Sequence, residues 1–520
     1  MTSISDVARM TPAGANGPAP EIRYPNPLLS GFYPDPSVVK VGSDYYLANS
    51  TFEYLPGIPV FHSTDLVNWE HVGHVVERPG QLASTDVPTN GGAWAPTIRH
   101  REGTFYVVVT DAMGRGLLIF TAERPEGPWS DGTVVEGVHG IDPDLAWGED
   151  GTAYITYSGL DTTSEKRMTG THGGILQVTV DLATGRPLSA PRSLWSGTGL
   201  KFPEAPHLYR HDGYWYLMIA EGGTERGHGI SVARGSAPGG PFESGPGNPV
   251  VSARSTSRPI QNTGHGDLVQ APDGSWAVIM LGVRPGGGTQ AFSVLGRETF
   301  ATTARFEDGW LRIDPVVLAP AEQEASFADD FVGSSLPPDW IAIRRYPGEL
   351  ADLSTSGRLR LTGDGSTLDD LRPVFVGYRQ RHRTCEVSVT VEPGNGLGGL
   401  AVRFDEWHHY EIEVGGGTVT ARAVVAGIRQ EWICPAPADV VTLHLRCVPP
   451  EGSDLSNMLT CDIVVLGVST GGGELTEVAR VDGRYLSQET AASFTGRVLG
   501  LYTVDGEVSF SAFRYHGIES

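Results

Sequence analysis

Two versions of a β pattern divide this chain. Over the first part, one arrangement of apolar and polar positions recurs five times: a polar or aromatic lead residue, a short apolar stretch, a turn, then an aromatic-apolar strand. The copies are DPSVVKVGSDYYLANS from Asp35, WAPTIRHREGTFYVVVT from Trp94, DPDLAWGEDGTAYITYS from Asp142, EAPHLYRHDGYWYLMIAE from Glu204 and HGDLVQAPDGSWAVIML from His265. The spacing from Trp94 to Tyr106, Asp142 to Tyr154, Glu204 to Tyr216 and His265 to Ala277 is 12 residues each time. Each copy reads as a hairpin. Its turn carries Glu102-Gly103, Asp150-Gly151, Asp212-Gly213 or Asp273-Gly274, pairs that supply the positive φ of tight turns. Further strands follow in most copies, and in three of them an aromatic residue (Trp69, Trp129 or Phe242) leads a fourth. Four strands per unit, repeated about a centre, predict a five-bladed β-propeller over residues 24–320. The innermost strand of a blade lines the central channel. The lead residues Asp35, Trp94, Asp142, Glu204 and His265 are therefore expected to meet in one axial pocket, although they lie far apart in sequence.

After the Pro/Ala-containing stretch LAPAEQE the pattern changes to plain alternation: WIAIRR, LRLTG, CEVSVTVE, HHYEIEV, TVTARAVV, VVTLHLRC and VSFSAFRYH. Period-two alternation marks half-buried strands, and no helical period interrupts it. Residues 325–520 are expected to form a jelly-roll, concanavalin-like β-sandwich, so the chain is all-β with two domains. Trp407, His408 and His409 invite a ligand reading of the sandwich, but alternate side chains of HHYEIEV face solvent in any case.

Composition narrows the partners. The 68 glycines and 37 prolines fit many turns. A formal charge of −23 argues against nucleic acid or an anionic membrane as partner, and leaves small neutral molecules such as oligosaccharides open. No apolar run is long enough to span a bilayer. Residues 1–23 read as a polar, mobile tail in which Asp6 and Arg9 interrupt any export-signal core. The expected location is the cytoplasm, with Cys385, Cys434, Cys447 and Cys461 as reduced thiols, and self-association is left open.

Three carboxylates at equivalent blade positions point to acid–base chemistry. Hydrolysis of a glycosidic bond needs an acid that protonates the leaving oxygen and a base or nucleophile opposite it. The acid must keep its proton near neutral pH, so burial or a neighbouring like charge must raise its pKa. Singly, Asp35 or Asp142 before proline could set a turn, Glu204 could pair with a cation, and Trp94 and His265 could be core residues. Their coincidence at one offset of a symmetric repeat favours function, because unpaired acids at a crowded axis are costly to a fold. Asp144 adds a fourth acid, which alternation points away from Asp142.

YPDPS around Asp35, IDPDL with DGTAY around Asp142, and PEAPHLY with AEGGT around Glu204 resemble glycoside hydrolase family 43. The nearest likeness is to its β-xylosidase and α-L-arabinofuranosidase members. STFEYLPGIPVFHSTDLVNW, WAP at Trp94, GHGDLV at His265 and LGRET at Arg297 extend the resemblance. It implies an inverting, exo-acting hydrolase with Asp35 as general base, Glu204 as general acid, and Asp142 raising and orienting the acid. It also implies sugar contacts at Phe52, Trp94, Thr224, His265 and Arg297. No cofactor is required, with calcium an option at His265. The resemblance does not choose between xylose and arabinose. A retaining fructan-type hydrolase is disfavoured by Ile-Asp-Pro at Asp142, and a catalytically silent sugar-binding propeller remains the reading of another class.

Overall fold

A computed structural model describes residues 23–518 apart from 84, 161–171, 320–323, 453 and 492. The expected tail over residues 1–23 thus lies, except for Arg23, outside the described residues. Five separate antiparallel sheets of four or five strands succeed one another from Ser37 to Ile313. The inner strands are Ser37–Val41, Thr97–Arg101, Gly140–Trp147, Glu204–His211 and Gln261–Gln270. Each hairpins onto the strand that carries the aromatic half of its repeat, in registers such as Val39↔Tyr46 and Tyr209↔Tyr216. The alternation fits this placement. Between neighbouring blades lie apolar clusters, for example Leu118, Phe120 and Trp129 packed with Val60 and Val75. Trp129 fills this seam, and the outer strand begins only at Thr133.

The fifth blade completes its own sheet, so the ring closes through an irregular segment rather than a shared strand. Asn26 donates to the carbonyls of Ala301 (2.8 Å) and Val317 (3.0 Å) and accepts from Ala301 N–H (2.8 Å). Leu28 N–H donates to Thr299 O at 2.9 Å, and Tyr33, Tyr45 and Leu47 pack against Val269, Ile279 and Ala301.

From Glu324 the remaining strands form two sheets, one of seven strands and one of eight that counts the propeller strand Tyr54–Leu55, stacked on one large apolar core that includes Trp340, Leu400, Leu443, Leu466 and Phe510. The only helices among the described residues are single turns, at Pro347–Leu350, Leu455–Leu459, Gln488–Ala491 and the 3₁₀ turn Gly483–Tyr485. The four cysteines are free thiols. His408 is held by Asp405 (2.8 Å) and buried His409 by Asp369 (3.2 Å), so both histidines serve the sheet, while Trp407 is 58% exposed.

The eight-stranded sheet lies against the propeller. Tyr54–Leu55 of the first blade's chain adds to its edge, in the register Ala342↔Leu55 and Ile343↔Tyr54. Phe32 and Tyr54 pack among Ile341, Ile343, Phe375, Val498 and Tyr502. Near this seam Arg284 grips Glu298 through two 2.8 Å hydrogen bonds, both side chains buried, and Glu298 also accepts from Gly31 N–H at 3.1 Å. Removing one partner of such a pair strands a charge in a low-dielectric site. Glu298→Ala should therefore lower stability by about 3–5 kcal/mol, read as an earlier urea midpoint for the propeller transition. A midpoint equal to that of the parent protein would show that Arg284 finds compensation elsewhere.

Candidate active site

At the pocket end of each inner strand the backbone leaves its ladder. Asp35, Asp142, Ala205 and His265 have φ of 54°, 52°, 50° and 45°. The strand registers break between Ile141 and Asp144, between Glu204 and His207, and between Gly264 and Gly266. Bulges of this kind re-aim side chains, and a non-glycine residue in the left-handed region costs about 1–3 kcal/mol. Alternation alone would have left Asp142 on the same face as Asp144, and His265 on the same face as Asp267. The bulges turn Asp142 and His265 into the channel.

All five lead residues line one pocket of about 230 Å³, smaller than the roughly 300–1,000 Å³ of drug-sized sites and on the scale of a single sugar ring. Phe52, Thr224 and Arg297, the other residues implied from sequence, line it too. Phe52 sits at φ 53° opposite Gly92, where an added Cβ would lie 2.3 Å from Phe52 O; only glycine permits that approach. Trp94 is anchored by its indole N–H, which donates to Asn90 O at 2.7 Å. Asp144 points elsewhere and pairs with Arg99 at 2.7 Å, but not by alternation, which puts residues two apart on one face; the bulge between Ile141 and Asp144 parts it from Asp142.

The three acids have unlike surroundings. Asp35 accepts from Ser50 Oγ at 2.5 Å and from Arg297 Nη1 at 2.8 Å, with His265 Nδ1 3.6 Å away. Burial alone would raise its pKa, but Arg297, His265 and Ser50 outweigh burial and hold the carboxyl below its ordinary value. Among the described residues Asp142 accepts one hydrogen bond, from the N–H of Ala205 at 3.2 Å; burial and the charge of Asp35 push it up to about 7. Glu204 keeps some contact with the open pocket and forms no ion pair among the described residues. Burial first, then the charges of Asp142 and Asp35, push it well above the ordinary glutamate range. His265 is pushed down to about 3, chiefly by burial, and is a neutral imidazole at pH 7. One carboxyl is thus held ionised and another protonated in the same small pocket, which is the division of labour that acid–base cleavage of an acetal demands.

Sequence reasoning missed part of the wall. His172, Phe202, Glu225 and Phe494 also line the pocket. Phe494 comes from the sandwich. Its N–H donates to Asn90 Oδ1 at 3.0 Å, and its carbonyl accepts from Arg297 Nη2 at 3.3 Å. Its ring stands 5.8 Å from those of both Phe52 and Trp94. No repeat offset marks it, so only the folded chain could reveal it. The option of calcium at His265 finds no support in the donor set. Asp35 is the carboxylate beside it and is already engaged by Arg297, and no group of three or more His, Cys, Asp or Glu among the described residues could hold a metal.

Comparison with known proteins agrees with this geometry. The model of glycosyl hydrolases family 43 matches residues 24–311, and that of the beta xylosidase C-terminal concanavalin A-like domain matches residues 328–516. A non-reducing end alpha-L-arabinofuranosidase of Bacteroides ovatus is 34% identical over 505 residues, covering 92% of this chain and 91% of its own. A xylosidase/arabinosidase of Humicola insolens is 30% identical over 545 residues, covering 96% and 98%. Among solved structures, a xylan beta-1,4-xylosidase from Bacillus halodurans superposes with a TM-score of 0.83 at 30% identity, over 95% of this chain and 99% of that one. With a five-bladed propeller, a concanavalin-like sandwich and matches along almost its whole length, the chain belongs to glycosyl hydrolase family 43 and is a glycoside hydrolase.

Proposed function

We propose that this glycoside hydrolase acts from the non-reducing end of short xylo-oligosaccharides, releasing β-D-xylose with inversion at the anomeric carbon. The observation that carries the reading is the unequal treatment of three buried carboxyls in a pocket the size of one ring. Asp35, held ionised by Arg297, is the general base. It takes a proton from the water that attacks the anomeric carbon as the glycosidic bond breaks. Glu204, kept protonated, gives its proton to the departing sugar oxygen. Asp142 raises the pKa of Glu204 and orients it. Phe52, Trp94 and Phe494 offer aromatic faces to the ring. Thr224, His265 and Arg297, which line the same pocket, offer polar groups to its hydroxyls. The role of Arg297 is double, since it also fixes Asp35. A pocket roofed by Phe494 favours chain ends over chain interiors.

α-L-Arabinofuranosidase activity is the second reading, favoured by the printed activity of the Bacteroides relative. The two sugars are neutral pentoses that a few hydroxyl contacts distinguish. In this reading residues 24–320 carry catalysis, residues 325–520 close and support the pocket, and no cofactor takes part. The partner is a small neutral sugar rather than nucleic acid or membrane. The four free thiols support a reducing, cytoplasmic setting, and no helix of the described residues is long and apolar enough to cross a membrane. A panel of nitrophenyl glycosides tests the substrate directly. Faster turnover of a hexoside than of either pentoside would overturn it.

Three outcomes test the roles. Asp35→Asn should lower kcat by about 10²–10⁴-fold while leaving the circular dichroism spectrum unchanged. Retention of more than about a tenth of the activity would remove Asp35 from the chemistry.

The pH profile should be bell-shaped, rising as Asp35 ionises and falling as Glu204 loses its proton. Asp142→Asn removes a negative neighbour, so Glu204 ionises at lower pH and the basic limb should move downward. A profile that shrinks without moving would make Asp142 a positioning group only.

Glu204→Ala should respond to the leaving group. A sugar hydroxyl leaves only when protonated, whereas dinitrophenolate departs unassisted. The variant should lose several orders of magnitude on xylobiose and far less on a dinitrophenyl glycoside. Equal losses on both would move the acid's role to Asp142.

A further inference from the structure

We propose that Arg99 is a positioning residue for the reaction: its guanidinium ties together the inner strands of all five blades and so fixes where the pocket carboxyls point. Arg99 lies on the second blade's inner strand. Its Nη1 donates to Asp267 Oδ2 at 2.7 Å and to Ser37 Oγ at 3.2 Å. Its Nη2 donates to Asp144 Oδ1 at 2.7 Å and stands 3.0 Å from His207 Nδ1. Those four partners come from the first, third, fourth and fifth blades. The two carboxylates extend the tie into the backbone, because Asp267 accepts from Val38 N–H (3.0 Å) and Asp144 from Leu208 N–H (3.0 Å). Tyr209 adds its hydroxyl to Asp267 at 2.5 Å. Asp144 and Asp267 have no exposed surface, and Arg99 is the one guanidinium within salt-bridge distance of either among the described residues.

Position relative to the pocket gives this cluster its meaning. Ser37, Asp144 and Asp267 each lie two residues beyond a pocket residue, namely Asp35, Asp142 and His265. His207 lies three beyond Glu204. Between pocket residue and anchor runs the left-handed bulge, where the ladder gives no support. Pairing resumes at Asp144↔Thr156, at His207↔Met218 and at Gly266↔Met280, which is followed at once by Asp267↔Ile279. The strained carboxyl-bearing residues are therefore held on one side by the ladder only through residues that Arg99 or its two carboxylates grip. A displacement of about 1 Å in a reacting group can cost on the order of 10²-fold in rate. A lysine keeps the charge, but as a point donor it cannot span two carboxylates, a hydroxyl and an imidazole in one plane.

Arg99→Lys separates this role from simple support of the fold. The substrates are whichever nitrophenyl glycoside the parent enzyme hydrolyses and its dinitrophenyl counterpart, so the outcome does not depend on the assignment to pentoses. The variant should remain folded by circular dichroism and gel filtration. Its kcat on the less activated substrate should fall about 10- to 100-fold with KM changed less than about threefold, and the loss on the dinitrophenyl glycoside should be smaller. If the lysine variant does not fold, Asp267→Asn is judged by the same criteria, since it weakens the tie and leaves Arg99 paired with Asp144. Unchanged kcat in the folded variant, or equal losses on both substrates that track the folded fraction, would overturn the proposal.

Discussion

Four carboxyl groups, the buried Asp35, Asp142 and Glu204 and the exposed Glu225, line the axial pocket with a single guanidinium among its wall residues, that of Arg297. In water such an imbalance would matter little. In a buried pocket each added negative charge must be neutralised, paired or left protonated, because desolvation disfavours the ionised form. Arg297 pairs with Asp35, and its weaker pull on Asp142 and Glu204 does not offset burial and the neighbouring carboxylates there. The proton of Glu204, the proposed acid, is thus retained because no cation among the described residues pairs with it. A second arginine near Glu204 would stabilise the fold and remove the acid.

Keeping such a group unpaired requires a scaffold that tolerates it. The propeller supplies this by bringing five strand ends to one axis and stabilising itself elsewhere, in the apolar seams between blades and in the sandwich core. The backbone cost is local. Left-handed residues at the bulges aim the acids, and the ladder on either side is intact. Further along the same axis Asp144 and Asp267 are also buried, yet Arg99 pairs with both. Two layers of carboxylates on one axis therefore meet opposite fates. The layer that shares a guanidinium is locked in ion pairs, and the layer short of one is the layer proposed for the chemistry.

The sequence carried much of this in its repeat. The lead residues were legible because blade symmetry converts a fixed offset into a shared place in space, and Asp35, Trp94, Asp142, Glu204 and His265 do share a pocket. That Asp144 faces away was not legible from alternation, which puts residues two apart on one face; the bulge between Ile141 and Asp144 parts it from Asp142. What was not legible lies outside the period. Phe494 follows a one-turn helix in the sandwich and reaches the pocket through Asn90 and Arg297, contacts made across roughly four hundred and two hundred residues of chain. The bulges were equally silent, because a left-handed aspartate before proline spells the same as an extended one. Arg99 reads as one more polar residue in an alternating strand until four other blades are seen to meet it.

The sandwich is then more than an appended module. Tyr54–Leu55 extends its sheet only two residues after Phe52, and Arg344 of the sandwich donates to Val87 O (2.7 Å) and Thr89 Oγ1 (3.1 Å) in the loop that carries Asn90. That loop holds Trp94 through one carbonyl and Phe494 through one amide oxygen. The aromatic side of the pocket is consequently built across the domain seam, while the acids belong wholly to the propeller. A shift at the seam would move the surfaces proposed to grip the ring, and through the Phe494 carbonyl it would also reach Arg297, which holds Asp35 ionised, so the proposed binding and proton transfer are coupled at that one contact.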